Sequence, residues 1–194
     1  MRTRPSTPVL VAAVLPLLLA LAVAVAGLVA RARGVDGVGI GGPSTAAATA
    51  VETGPLAVVP LDAPDADGPR CVALLAALPA ELPGDGGALP TRPLADPAPP
   101  GTRAWAAAPR PVVLRCGLTR PAELTPTSAL LEVNGVRWLR LDDGVPDPVV
   151  VSWVAVDRPV YVVLTAPPDA GTGPLQAVSD AVRQTLDATP VVVR

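Results

Sequence analysis

Arg115 lies beside Cys116 at the end of the apolar run Pro111-Val112-Val113-Leu114-Arg115-Cys116. A guanidinium there could clamp a carboxylate or another anion through paired hydrogen bonds. On a half-buried strand the same residue equally serves as the solvent-facing member of the alternation. Arg158, between Asp157 and Pro159, carries the same two readings. Two groups of acids, Asp62 with Asp65 and Asp67, and Asp142 with Asp143 and Asp147, could offer oxygen ligands to Ca²⁺. Neither follows the EF-hand spacing, and acids are ordinary turn residues, so no metal site is expected. A carboxylate pair could serve glycoside hydrolysis, with Trp105, Trp138 or Trp153 as a sugar platform. Each Trp, however, lies where a core or hairpin contact explains it. Ser128 and Ser152 lack a G-x-S-x-G context.

The chain contains no His. That removes Ser-His-Asp and Cys-His catalysis, His-ligated zinc and haem, and imidazole acid–base chemistry. No cofactor is implied. All 15 basic residues are Arg, within a composition dominated by Ala, Val, Pro and Gly. Such a bias follows from a GC-rich coding sequence, so the Arg content does not argue for phosphate recognition. Residues 1–54 hold four Arg and two acids; residues 55–194 hold the remaining eleven Arg and fifteen acids, a net charge of −4. An acidic domain without a basic stripe excludes nucleic acid as the expected partner.

These residues need elements to position them, and the first is not in the globular part. Val9 to Ala30 is 22 residues without a charge, flanked by Arg2 and Arg4 and by Arg31 and Arg33. About 20 apolar residues at helical rise cross a hydrocarbon core of ~30 Å. The run therefore reads as a transmembrane anchor. Cleavage after Ala24-Val25-Ala26 as a signal peptide is the alternative. Leu28-Val29-Ala30 extend the run past that site and beyond the usual signal length, which favours a retained anchor. Both readings put the C-terminal part outside the cytoplasm, and the free amino terminus tips orientation toward N-in. Residues 1–8 are then a cytoplasmic stub, 9–30 the anchor, 31–54 a flexible Gly-, Ala- and Pro-rich linker, and 55–194 one extracytoplasmic globular domain.

Outside the cytoplasm, Cys71 and Cys116 are expected to pair as a disulfide, with two buried thiols as the alternative. The bridge would tie a helix to a strand. The domain has little aromatic core: three Trp, one Tyr and no Phe.

Leu56 to Leu61 reads as a first strand. Asp67 then caps a helix opened by Pro69, with Cys71, Leu74, Leu75 and Leu78 on one face. Gly84 to Gly101 reads as a Pro-rich loop, with a short edge strand near Leu89. Pro111 to Cys116 is a strand. Leu130–Val133, Asn134-Gly135 and Val136–Leu139 form the strongest local pattern, a hairpin with a type I′ turn. Val149–Val156 and Val160–Thr165 are two further strands. A last helix begins at Thr172 and Pro174, with Leu175, Val178, Val182 and Leu186 on one face. The expected architecture is α+β: a two-layer sandwich in which two helices cover a mainly antiparallel sheet, preceded by one transmembrane helix.

Taken together, Cys71 with its Leu-rich helix and Leu78-Pro79, Ala104-Trp105, Pro111 through Cys116-Gly117, Asn134-Gly135-Val136-Arg137-Trp138 and Arg158 resemble the actinobacterial membrane-anchored family called domain of unknown function 3515. The resemblance covers most of residues 56–187. The family tends to have Gly after the Trp, where this chain has Ala106. The resemblance implies an N-terminal span and an external domain, and it supplies no activity. From the residues we expect a non-enzymatic, membrane-anchored module that binds a protein partner in the cell envelope, with an exposed Trp105 loop as its surface. The alternative is a small-ligand-binding or hydrolytic domain using Arg115 and Arg158 with carboxylates. Trp138 is a further candidate contact. The partner, ligand, oligomeric state and biological process are left open by these residues.

Overall fold

Asn134 and Gly135 both adopt positive φ, 49° and 77°, and this two-residue turn sets the register of everything around it. The computed structural model describes residues 51–142 and 144–193. The expected stub, the Val9–Ala30 anchor and nearly all of the linker lie outside the described residues. Among the described residues no helix is long and apolar enough to cross a membrane.

The elements run α1 (Pro69–Ala77), β1 (Glu81–Gly84), β2 (Gly87–Arg92), β3 (Thr102–Trp105), β4 (Val112–Leu118), β5 (Leu130–Val133), β6 (Val136–Leu141), β7 (Val151–Ala155), β8 (Tyr161–Ala166), a 3₁₀ turn (Pro168–Ala170) and α2 (Gly173–Thr185). The eight strands form one sheet in the order β1-β2-β3-β4-β8-β7-β6-β5, every named pair antiparallel. Helix α2 packs against β1 at one edge and against β5 and β6 at the other, so the sheet curls around it. The α+β expectation, with an antiparallel sheet and two helices, holds.

The concave face carries the main core. Leu74, Trp105, Val112, Leu114, Val136, Trp138, Val162, Leu164, Val178 and Val182 are all fully buried in it. The helix stripes read from the sequence face inward: Cys71, Leu74 and the C-cap Leu78 of α1 are buried with Leu75 half-buried, and Leu175, Val178, Val182 and the C-cap Leu186 of α2 are buried. The Cys71–Cys116 disulfide joins α1 to β4, with Cα atoms 5.6 Å apart across a separation of 45 residues. In the chain-entropy picture, closing that loop stabilises by ~4 kcal/mol. The convex face has a second, smaller core. Leu139, Val154 and Val156 pack there with Leu124 from the segment after β4, and with Val191 from the C-terminal tail. Two helices thus cover one face only, and irregular chain partly covers the other.

Three local expectations change. Leu56 to Leu61 is not a strand; Leu56 makes one isolated parallel bridge to Leu94, while Val59 and Leu61 are exposed. Pro60 removes a ladder donor inside that short run, and Pro55 removes one just before it. The α1 N-cap is Gly68, not Asp67, and it makes no side-chain cap hydrogen bond. The Gly84–Gly101 loop contains the end of β1 and all of β2, a hairpin turning at Asp85-Gly86. Pro83 and Pro90 disguised these strands, yet proline is tolerated near a sheet edge, where fewer donors are needed.

Gly117 explains one feature of the Arg-Cys-Gly segment. Its φ is +89°, and a Cβ there would fall 2.4 Å from the Ala66 backbone nitrogen. Only glycine allows the turn before α1 to lie against β4, where the Asp65 N–H donates to the Gly117 carbonyl at 3.2 Å.

Candidate functional site

Trp105 and Trp138, both candidate contacts, are core residues at 0 % exposure. Trp105 lies in β3, and its Nε1–H donates to the Pro79 carbonyl at 3.1 Å. The expected exposed Trp105 loop is therefore corrected: the Pro-rich stretch ends before Thr102, and Trp105 pairs with Val112 as an inward strand position. Trp138 donates through Nε1 to Ser179 Oγ at 3.0 Å, and Ser179 in turn donates to the Leu175 carbonyl at 2.7 Å. That chain gives the indole N–H a partner in a site closed to water, where an unmade bond costs about 1–3 kcal/mol.

Arg158 is buried in the β7–β8 connection. Its Nη1 donates to the Asp157 carbonyl at 2.9 Å, and its Nη2 donates to the Gly135 carbonyl at 2.7 Å. The Asp157 carboxylate is 2.9 Å from Nη1, an ion pair by distance. Arg158 therefore latches the β5–β6 turn to the β7–β8 turn, and its guanidinium is largely engaged inside the fold. Arg115 projects from β4 on the convex face, opposite Val163 and Thr102 in the register. It is half-buried, its Nε makes no hydrogen bond among the described residues, and burial pushes its pKa down. No cavity among those described is lined by both arginines.

Of the acids weighed as Ca²⁺ ligands, Asp142 is engaged locally. Asp142 pairs with Arg140 at 3.1 Å and accepts the Gly144 N–H at 3.1 Å, a local turn contact. Among the described residues no group of three metal-ligating side chains is gathered.

What sequence reasoning missed is a cleft of about 650 Å³ at the open end of the concave face. Its floor is Trp153 and Val151 of β7, with Leu131 of β5 and Arg140 of β6 beside them. Arg140 is the direct cross-strand partner of Trp153. One wall is the Pro146–Val149 segment; the other is Pro167–Thr172, which leads into α2, and Pro109 also borders the cleft. The lining is chiefly apolar, with Arg140, Asp147 and Asp169 as its charged groups. Leu131 and Val149 are half-exposed or more at its rim. Such volume, an aromatic floor and few polar groups are usual for a ligand or peptide cleft. The available signal was Trp153 on a strand bracketed by Pro146, Pro148, Pro167 and Pro168. The two proline pairs are distant in sequence and converge only when β7 and β8 pair.

The family model for "Protein of unknown function (DUF3515)" matches residues 13–191. The chain belongs to the DUF3515 family. No curated protein and no solved structure matches it. In this DUF3515 chain the segments that carried the resemblance are mostly structural: Cys71 and Cys116 form the bridge, Gly117 admits α1, Asn134-Gly135 makes the turn, and Trp105, Trp138 and Arg158 are internal. The cleft lies apart from them.

Proposed function

We propose that this DUF3515 chain is a membrane-anchored, extracytoplasmic module of the cell envelope that binds a protein partner without catalysing a reaction. The single observation that carries the binding role is the Trp153 cleft, an apolar hollow whose rim exposes Leu131 and Val149. Apolar residues left uncovered beside a cavity mark an interaction surface more often than isolated ones do. The anchor reading is supported by the uncharged run Val9–Ala30, and the compartment by the Cys71–Cys116 bridge, which persists in oxidising surroundings. The interaction surface thus moves from Trp105, which is internal, to Trp153.

The test is crosslinking and affinity purification of the tagged full chain from native membranes. Two variants run beside it: one with an unrelated anchor in place of residues 9–30, and Trp153→Ala. A stoichiometric partner kept after the anchor swap and lost with Trp153→Ala supports the cleft as the contact. Loss on the anchor swap alone moves the contact into the span. A partner that survives Trp153→Ala removes the cleft from the proposal.

A further inference from the structure

Strand β5 ends the sheet, and its outer side pairs with no other strand among the described residues. Its register fixes which groups face outward. In a two-residue hairpin the pair flanking the turn, here Val133 and Val136, exchanges both hydrogen bonds, and the pattern then alternates. Leu131 therefore bonds to Trp138 across the hairpin, while Leu130 and Glu132 turn their N–H and C=O groups away from β6. The neighbouring ladder agrees: the Arg137 carbonyl accepts from the Val156 N–H on the β7 side. Leu131, between the two outward-facing residues, lines the Trp153 cleft. The free backbone row and the cleft are thus continuous.

Charge at the cleft is acidic on balance. Asp147 and Asp169 line it with Arg140, whose charge Asp142, outside the lining, already pairs. The α2 N-terminus behind Thr172 offsets about half a unit of negative charge, leaving the mouth net acidic.

Building on the cleft reading above, we propose that an extended segment of the partner protein adds as a strand to the outer side of β5 and seats a basic side chain, flanked by apolar ones, in the Trp153 cleft between Asp147 and Asp169. Backbone pairing to Leu130 and Glu132 supplies affinity, and the cleft selects alternate side chains, as in other strand-addition complexes. The aliphatic stem of Arg or Lys packs on Trp153 while its charged head meets the acids.

Short synthetic peptides of alternating apolar residues, with a central Arg, Glu or Ala, are titrated against the full chain in detergent. The Arg-centred peptide is also made with its edge-facing amides N-methylated. Two variants are compared, Glu132→Pro and Glu132→Ala; proline at Glu132 removes an outward N–H and no ladder bond. The Arg-centred peptide is expected to bind, at least about tenfold more tightly than the Glu-centred one, a difference of about 1.4 kcal/mol. N-methylation and Glu132→Pro each abolish binding, while Glu132→Ala keeps it. Equal binding after N-methylation overturns strand addition and leaves the cleft reading standing. Preference for the Glu-centred peptide, or no binding of any peptide to the unaltered chain, overturns the inference; the membrane crosslinking with Trp153→Ala still decides the broader function. N-methylated peptides need no variant, so a Glu132→Pro chain that does not fold leaves the question answerable.

Discussion

Three tryptophans face the same side of one sheet, and they meet different fates. Trp105 and Trp138 lie under the helices, fully buried, each with its indole N–H donated to an internal oxygen. Trp153 lies beyond the start of α2, half-buried in the floor of an open cleft walled by prolines. The covered end has what a folded core requires: close packing, satisfied polar atoms and a disulfide. The open end lacks a lid because Pro146–Val149 and Pro167–Thr172, which add only one short 3₁₀ turn, border Trp153 without a strand or α-helix to cover it. Close packing is concentrated where the helices are, and open apolar surface where they are not.

The contrast breaks most directly at Trp138. Trp138→Ala opens a large cavity and removes the N–H that Ser179 Oγ accepts, so unfolding free energy is expected to fall by about 4–5 kcal/mol in a denaturant titration. A loss under about 2 kcal/mol would mean the covered end is not the stability centre. Removing the bridge with Cys71→Ala and Cys116→Ala together is expected to cost about 4 kcal/mol, read by the same titration against the unreduced parent. Gly117→Ala comes next, at about 2–3 kcal/mol, because the new Cβ meets the Ala66 backbone at a positive φ. Its melting temperature should drop while crosslinking through the cleft, which Gly117 does not line, is retained. The smallest effect is at Trp153: Trp153→Ala should lower stability by only about 1 kcal/mol, since part of its surface is already wet. Crosslinked partner should nevertheless disappear. A Trp153→Ala chain as unstable as Trp138→Ala would erase the distinction between the two ends.

Much of the covered end was legible residue by residue. The Leu74 and Leu78 stripe, the Val178 and Val182 stripe and the Asn-Gly hairpin depend on local periodicity and turn stereochemistry, which neighbouring residues alone dictate. The β1–β2 hairpin was hidden because Pro83 and Pro90 contradict strand propensity and are tolerated only near a sheet edge, a position no local pattern reveals. Trp105 misled for the same reason: a proline-rich approach suggested an exposed loop, and pairing with Val112 drew it inward. The candidate site was least legible. Arg158 and Trp138, candidates from their residue types, are a latch and a core anchor, whereas nothing in the local sequence signals that Asp147 and Asp169 face one cleft from opposite walls.

By itself, the order of residues determined the uncharged run from Val9 to Ala30, the absence of imidazole chemistry, the helix faces and the central hairpin, because each depends on composition or on spacing of a few positions. Only the tertiary structure decided which tryptophans are sealed, that Arg158 is spent inside the fold, and that β5 and the two proline walls meet around Trp153. Those outcomes depend on which strands pair and on where α2 begins to cover the sheet, and contacts between residues far apart in the chain set both.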